Sequence, residues 1–222
     1  MTRDAEERPE LSSPACQLHE IDPAYAGLPP TTPGEVMAWR KASRDDLIAR
    51  RMALAPESRQ RWSERIAAAV AARIGPFEGL SVSFYWPFRG EPDLRPLASA
   101  IWHGGGRALL PVVVAKATPL RFKPWRDGDR LERGVWNIPV PATEETARPD
   151  VVIAPVVGFD PACYRLGYGG GFFDRTLAAL SPSPALVIGV GYSLQSLPTI
   201  HPQSYDVPMS CIVTEHGLVA TR

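Results

Sequence analysis

The stretch that decides the fold reads VVIAPVVGFD at residues 151–160 and YRLGYGGGFFDR at residues 164–175. The first part is β-branched and apolar enough for a buried strand, and the second supplies glycines followed by residues that can open a helix. A strand, a glycine loop and a helix in this order are typical of a covered, largely parallel sheet. The loop then lies at the carboxyl end of a strand, where such sheets bind ligands.

The composition of this loop suits an anion. Its glycines let backbone N–H groups approach closely, and a helix starting near Phe172 would add its positive N-terminal end. Arg165 and Arg175 can neutralise further charge, and Asp174 can hold a magnesium ion through oxygen. The loop glycines are Gly167, Gly169, Gly170 and Gly171. The pattern predicts a phosphate site, although a glycine loop alone is as compatible with a tight strand-to-helix turn.

Two familiar nucleotide-binding loops are excluded by pattern. A Walker loop ends in Gly-Lys-Ser/Thr, which is absent here, and Phe172 stands where the G-x-G-x-x-G fingerprint needs its last glycine. A lipase-like reading of His103–Gly106 fails because Ser193 has no G-x-S-x-G setting, so these glycines predict a helix C-terminal turn.

Outward from the loop, helices alternate with strands. A basic helix is expected from about Glu35 to Leu54, and its polar face holds Arg40, Lys41, Arg44, Arg50 and Arg51. A second helix is expected from about Pro56 to Ile74. The segment around Trp125 reads as an exposed antiparallel excursion or loop. Trp125 and Trp136 can contribute to the wall of a ligand pocket, although core packing is the expected role. Short runs bounded by glycine or proline predict strands at residues 80–86, 107–114, 120–125, 151–157, 185–190 and 211–214. This order predicts a sheet that is parallel at least in part and covered on both faces.

Length and composition indicate a single catalytic domain. The chain has 222 residues, and residues 1–33 are proline-rich without an apolar period, so we expect a tail before a domain at 34–222. Equal numbers of acidic and basic residues (24 each) give no field for nucleic acid or anionic membranes. Three cysteines without CxxC spacing, and no apolar run of about 18 residues, favour a reduced cytoplasmic protein.

Residues 165–175 resemble the hallmark of the 5-formyltetrahydrofolate cyclo-ligase family, R-L-G-x-G-x-G-[Y/F]-[Y/F]-D-R after an apolar strand. Three further places match the family in the right order, so the resemblance covers nearly all of the chain beyond the tail. They are the basic helix with Arg40 and Arg44 four residues apart, the segment Tyr85–Glu91, and the C-terminal Leu197-Pro198, Tyr205–Pro208 and Val213–Glu215.

The resemblance implies an α/β fold: a three-layer α/β/α sandwich with a mostly parallel sheet, Rossmann-like and of the NagB/RpiA/CoA-transferase-like class. It implies ATP- and Mg²⁺-dependent closure of 5-formyltetrahydrofolate, with or without a polyglutamate tail, to 5,10-methenyltetrahydrofolate. The implied reaction passes through a phosphorylated formyl group and releases ADP and phosphate. A cytoplasmic monomer with no nucleic-acid or membrane partner is expected.

The resemblance also assigns residues. Arg165, Asp174 and Glu91 are expected to be catalytic, Trp86, Glu91 and Tyr168 to contact the folate, and Asp174 and Asp206 to hold the metal. The expected ATP-binding residues are Arg40, Lys41, Arg44, Arg165, Leu166, Gly167, Tyr168, Gly169, Gly170, Gly171, Phe172 and Phe173.

The sequence departs from the family pattern at three places. Val140 replaces a common glutamate before a proline, Tyr205 stands where histidine is usual, and Ser210 stands where an acid is often found. These changes leave open a non-catalytic folate- or nucleotide-binding relative, or an ATP-dependent enzyme for another formamide-like substrate. An intact Arg165, Asp174 and Glu91 favour catalysis.

Overall fold

The computed structural model describes residues 29–180 and 183–222. Contacts divide the chain into one unit ending at Trp39 and another running from Arg40 to Arg222. Residues 1–28 of the expected tail lie outside the described residues, and its expected boundary after residue 33 stays a prediction. Within residues 29–180 and 183–222, no helix combines the length and apolarity needed to cross a lipid bilayer.

The described residues form four α-helices and eleven strands. The helices are α1 (Pro33–Met52), α2 (Pro56–Ile74), α3 (Arg95–His103) and α4 (Phe172–Ala179). The strands are β1 (Ser81–Ser83), β2 (Arg107–Val112), β3 (Arg121–Pro124), β4 (Leu131–Arg133), β5 (Pro139–Pro141), β6 (Val151–Pro155), β7 (Gly158–Phe159), β8 (Arg165–Leu166), β9 (Leu186–Val190), β10 (Cys211–Thr214) and β11 (Gly217–Thr221).

In the first unit, a capping box fixes the start of α1. The backbone N–H of Glu35 donates to Thr32 Oγ1 (3.2 Å), and Glu35 Oε2 accepts from the Thr32 N–H (2.8 Å). The backbone N–H of Thr31, which also donates to this carboxylate, contributes most to lowering the pKa of Glu35 to about 2. The helix therefore begins at residue 33, two residues before the expected start.

In the second unit, seven strands form one mixed sheet in the order β11-β10-β9-β6-β1-β2-β3. The five central strands are parallel, and the two edge strands, β3 and β11, run antiparallel to their neighbours. The chain leaves β1 to form β2 on one side and later returns to form β6 on the other side. This reversal creates a switch point at the carboxyl ends of β1 and β6, where open α/β sheets bind ligands.

Side-chain alternation along the sheet builds the three expected layers. Val151 and Ile153 of β6 join a core cluster with Ile66 of α2 and Leu97 of α3. The intervening Val152 of β6 instead packs in a cluster with Leu177 of α4. Because successive strand residues face opposite sides, this pattern places helices on both faces and confirms the α/β/α sandwich.

The antiparallel excursion is confirmed, and its expected exposure holds at Arg121, Arg126 and Gly128 but is wrong between the two arginines. β3 pairs antiparallel with β2, and β4 pairs antiparallel with β5. Phe122, Lys123 and Trp125 are all buried, because the segment packs against the sheet. His103–Gly106 forms the expected turn, since α3 ends at His103 and β2 begins at Arg107.

Candidate functional site

An apolar cleft opens at the switch point, beyond the carboxyl ends of β1 and β6. Its floor and walls include residues following β1, the end of β2, the β4–β5 hairpin and the glycine loop that precedes α4. The aliphatic wall is formed by Leu110, Val113, Leu120, Val135, Ile138 and Val140. Trp86, Phe88, Trp136 and Phe172 add aromatic surface, which suits a flat heterocycle.

Polar groups enter this cleft at two places. Glu91 lies on one wall, and Arg165 and Asp174 lie on the wall that the glycine loop forms. The lining also includes Gly167, Tyr168, Gly170, Gly171 and Phe173. The structure therefore brings most of the expected loop residues to one cleft with the expected folate contacts, Trp86 and Glu91.

The glycine loop takes conformations that favour glycine. Gly169 has φ of +95° and Gly171, the N-cap of α4, has φ of +64°. Arg175 donates from Nη1 to the Gly170 carbonyl (2.6 Å), which braces the turn. The loop thus presents its backbone at the positive end of α4, as the sequence predicts for an anion site.

Arg165 and Asp174 form a partly buried ion pair. Arg165 Nη2 lies 2.8 Å from Asp174 Oδ1, and its Nη1 donates to the Val207 carbonyl (2.9 Å). The Val207 N–H also donates to Asp174 Oδ1 (3.1 Å), so neither of these Asp174 contacts uses Oδ2. Burial lowers the pKa of the Arg165 guanidinium, and the charge of Asp174 opposes that effect.

A second group of charges lies beside the loop. Arg40 Nη2 is paired with Asp206 Oδ1 at 3.0 Å, and Arg44 Nε donates to the Gly167 carbonyl (2.7 Å). The pKa of Arg44 is lowered first by burial and then by the charge of Arg40. Arg40 and Arg44 share the charge of Asp206, because the other nearby carboxylate, Asp45, is exposed and paired with Lys41; the remaining positive charge favours an anionic ligand.

Two buried donors in this region lack a well-directed hydrogen bond. Within the described ranges, Arg40 Nε and Arg165 Nη2 have no such partner, although Arg165 Nη2 contacts Asp174. Buried guanidinium N–H groups are costly when left unmatched, and phosphate oxygens are suitable acceptors for them. This arrangement supports the predicted phosphate site.

The expected metal ligands differ in their availability. No group of three or more candidate ligand side chains occurs in residues 29–180 and 183–222. Asp174 lines the cleft and is 20% exposed, and Mg²⁺ commonly uses one or two carboxylates together with substrate phosphates. Asp206 is less available, because its Oδ1 is paired with Arg40 and its Oδ2 accepts from the Gln203 N–H. Asp174 therefore fits a nucleotide-bound metal better than Asp206.

Five expected ATP-binding residues do not line the cleft: Arg40 and Arg44, which lie beside the loop, and Lys41, Leu166 and Gly169. Lys41 is highly exposed and pairs with Asp45 (3.0 Å) on the outer face of α1. Leu166 is buried in β8 and Gly169 is exposed, so each would act through the loop backbone. Their assignment to ATP stays a prediction.

Tyr168 lines the cleft, and its hydroxyl binds two charged side chains. Its hydroxyl donates to Glu91 Oε1 (3.0 Å) and accepts from Arg51 Nη2 (2.6 Å). Its ring packs against Phe88, with ring centroids 5.8 Å apart. Glu91 Oε2 accepts from the Phe88 N–H (2.9 Å). Tyr168 is thus held by its polar end in a network with the expected substrate carboxylate.

Sequence reasoning missed Arg51, and for Trp136 it named the pocket wall only as the second alternative. Arg51 was grouped with the polar face of α1, yet it is fully buried, because residues 40, 44, 47 and 51 share one helical face. Trp136 was expected in the core, but it is 54% exposed and lines the cleft. It has φ of +56° and meets the ring of Phe172 edge-on. The spacing along α1 could have revealed Arg51, whereas Trp136 depends on an unusual backbone conformation.

The departures from the family pattern are distributed unevenly. Val140 is buried and lines the cleft, so it alters the surface that a ligand would meet. Tyr205 is 61% exposed, and Ser210 exchanges hydrogen bonds with Val187 beside β9. Ser193, the serine considered for a lipase-like site, donates to the Glu215 carboxylate from both its backbone N–H and its hydroxyl. This contact is structural and does not form a hydrolase site.

Comparison with known proteins gives a consistent result. A family model described as the 5-formyltetrahydrofolate cyclo-ligase family matches residues 36–215. A protein of Escherichia coli (strain K12) named 5-formyltetrahydrofolate cyclo-ligase is 30% identical over 171 residues, which are 74% of this chain and 94% of that protein. A protein of the same name from Mycolicibacterium smegmatis is 33% identical over 153 residues, covering 65% of this chain and 78% of its own length.

Solved structures show the same similarity. The NMR structure of Aquifex aeolicus 5,10-methenyltetrahydrofolate synthetase matches with a TM-score of 0.72 and 27% identity, over 82% of this chain and 93% of that one. A 5,10-methenyltetrahydrofolate synthetase from Mycoplasma pneumoniae matches with a TM-score of 0.65 over 79% and 98% of the two chains. At 23% identity, the second match supports the fold alone.

Proposed function

The chain belongs to the 5-formyltetrahydrofolate cyclo-ligase family, and from that premise we propose that it closes 5-formyltetrahydrofolate to 5,10-methenyltetrahydrofolate with consumption of ATP. The observation that carries the proposal is a single cleft with two different ends. One end joins aromatic surface to Glu91, and the other joins a glycine loop to Arg165 and Asp174. Such a cleft suits a flat heterocycle beside a phosphate.

The proposed chemistry activates a poor electrophile. Resonance stabilises the N5 formamide, and oxygen would leave poorly during ring closure. Transfer of the ATP γ-phosphoryl group to the formyl oxygen releases ADP and creates a good leaving group. Attack by N10 on the formyl carbon then forms the new C–N bond, N10 loses its proton to solvent, and the C–O bond breaks with release of phosphate. Positioning and charge neutralisation are what the protein must supply.

We assign the phosphate end to the loop and its arginines. The amides of residues 167–171 and the Arg165 guanidinium would bind phosphate oxygens, and Arg40 and Arg44 would add positive charge beside the loop. Asp174 would hold a magnesium ion together with those phosphates. The ion, when bound, supplies charge neutralisation to the transferring group.

We assign the other end to the folate. Trp86 and Trp136 offer ring surface, and Glu91 offers a fixed carboxylate that can accept hydrogen bonds from the pterin. The buried Val140 at the position of a common family glutamate makes this wall more apolar. We further propose a monomer that works in the cytoplasm on a small-molecule substrate.

An absorbance assay for the methenyl product tests this proposal. The purified chain with 5-formyltetrahydrofolate, ATP and Mg²⁺ should form product and ADP in equal amounts, and EDTA should stop the reaction. Product formed equally well with EDTA or without ATP would overturn the mechanism. Tight binding of both ligands in calorimetry without any product would instead favour a non-catalytic relative.

A further inference from the structure

The strongest unassigned feature is a buried arginine next to the cleft. The side chain of Arg51 is fully buried at the end of α1. Its Nε donates to the Arg89 carbonyl (2.9 Å), and its Nη1 lies 3.3 Å from the Val156 carbonyl oxygen. Its Nη2 donates to the Tyr168 hydroxyl (2.6 Å). A charge buried this deeply needs hydrogen-bond partners, and one of them, Tyr168, lines the cleft.

The Tyr168 hydroxyl connects this arginine to Glu91. Arg51 Nη2 and Glu91 Oε1 are 4.0 Å apart, which is too far for a direct hydrogen bond. The hydroxyl lies between them, accepting from Arg51 and donating to Glu91 Oε1 (3.0 Å). Because the Phe88 N–H holds the other carboxylate oxygen, the orientation of Glu91 is fixed at both ends.

We propose that Arg51 is a positioning residue that acts through the Tyr168 hydroxyl to favour the ionised form of the Glu91 carboxylate and to aim it at the folate. This inference rests on the proposed function and adds two roles to it. Tyr168 serves as a hydrogen-bond relay, and Arg51 serves as the charge that the relay transmits. Neither role requires either side chain to touch ATP.

The electrostatics around Glu91 agree with this geometry. In the described part of the chain, the charged and titratable groups around Glu91 are Arg51 from α1, Tyr168 from the loop and Tyr85 after β1. Burial raises the pKa of Glu91 to about 7, whereas Arg51, the Phe88 N–H and Tyr168 lower it. Burial and then the charge of Glu91 raise the pKa of Tyr168, so its hydroxyl stays a donor. Removing the relay would therefore make Glu91 harder to ionise.

A purely structural role is the main alternative for Arg51. Its bonds to the Arg89 and Val156 carbonyls tie α1 to the loop after β1 and to the segment after β6. Loss of those bonds could lower activity without any effect on Glu91. The decisive variant is therefore Tyr168→Phe, which keeps the ring, keeps Arg51 and removes only the relay.

The pH dependence of Tyr168→Phe separates the two roles. Loss of a hydrogen bond to the ionised form should move the acid limb of kcat/KM for 5-formyltetrahydrofolate up by about one pH unit. If the limb moves from about 7 to about 8, the ionised fraction at pH 7 falls from about one half to about one tenth, a roughly fivefold loss. At about pH 9 the loss should nearly vanish, while KM for ATP stays unchanged. A loss that is equal at every pH would overturn the proposal.

A double-mutant cycle with Glu91→Gln gives a second readout. If Tyr168 acts through Glu91, Tyr168→Phe should cost little further activity once Glu91 is already glutamine. Additive losses would refute the relay. Wild-type product formation in the same assay tests the proposed function separately, so failure of the relay and failure of the proposed function remain distinguishable.

Two further variants test the charge itself. Arg51→Met should shift the acid limb further than Tyr168→Phe does. Arg51→Lys should shift it less than Arg51→Met, because lysine restores the positive charge. Arg50→Met is the matched control, since Arg50 is 54% exposed and pairs with Asp46 on the surface. If Arg51→Met does not fold, the pH profile of Tyr168→Phe and the double-mutant cycle with Glu91→Gln still decide whether the relay exists. An unshifted limb in folded Arg51→Met would overturn the proposal.

Discussion

The stability of the protein should depend on the ionisation of Glu91, and Glu91→Gln isolates this dependence. The Glu91 side chain is 3% exposed and lies between Tyr168, Phe88 and Arg51. Burial raises its pKa from the ordinary 4.5 to about 7 in the folded protein. In the unfolded chain the same carboxyl is solvated and ionises at its ordinary pKa.

The sign and the size of the effect follow from these two pKa values. Because the folded pKa is the higher one, the protein is stabilised relative to the unfolded chain while Glu91 is protonated. That stabilisation is fully present below about pH 4.5 and is lost as the pH rises through about 7. A rise of this size corresponds to about 3 kcal/mol. Glutamine cannot ionise, so the variant escapes this loss.

Urea unfolding of both proteins at several values between about pH 5 and pH 8 measures the effect. The free energy of unfolding of Glu91→Gln minus that of wild type should increase with pH by about 2 to 3 kcal/mol over this range. Taking the difference cancels groups that titrate equally in both proteins. Glu78→Gln, which changes an exposed carboxylate, should give a flat difference. A flat difference for Glu91→Gln would show that burial does not raise the pKa of Glu91, and would refute the reasoning.

Three further predictions concern the cleft and its loop. Asp174→Asn should abolish most turnover and also lower stability by about 2 to 3 kcal/mol in urea unfolding, because Arg165 is 3% exposed and loses its charged partner; unchanged stability would show that the pair is unimportant to the fold. Gly169→Ala should cost about 1 to 3 kcal/mol of stability at φ of +95°, although no neighbour blocks the added carbon, and should raise KM for ATP. Trp136→Ala should raise KM for the folate several-fold with little change in melting temperature, since its side chain is exposed; a melting temperature lowered by many degrees would instead make it a core residue.

Much of the fold could be predicted because its signals are local. The apolar run at residues 151–157 and the glycines after it encode the strand, loop and helix at the centre of the site. The second helix matches its expected bounds, Pro56–Ile74, because a proline begins it and Gly75 follows it. Strand ends were less accurate: the expected strand at 80–86 pairs only at Ser81–Ser83. The residues after it leave the sheet to line the cleft, so their β-type composition reflects the site.

The network behind the cleft could not be predicted in the same way. Arg51 meets Arg89, Val156 and Tyr168 across 38, 105 and 117 residues of sequence, and no local pattern records such contacts. A cation in a basic helix is usually solvated, which is why Arg51 looked like a surface residue. The role of Trp136 was also difficult to predict, because its left-handed backbone conformation lies in the β4–β5 hairpin at a position that is not glycine.

The loop that holds Tyr168 also limits how variants can be interpreted. The Gly167 carbonyl accepts from Arg44 on the phosphate side, and the hydroxyl of the next residue, Tyr168, binds Glu91 on the folate side. Residues adjacent in sequence thus contact both proposed ligand ends, and a backbone shift at one is transmitted to the other. A substitution that moves the loop backbone should change the affinity for both ligands, whereas loss of the Tyr168 hydroxyl alone should change the affinity for the folate only. An altered KM for one ligand therefore cannot assign a loop residue to that ligand. Titration of both ligands against the same variant can make that assignment, because coupling between two binding sites is reciprocal.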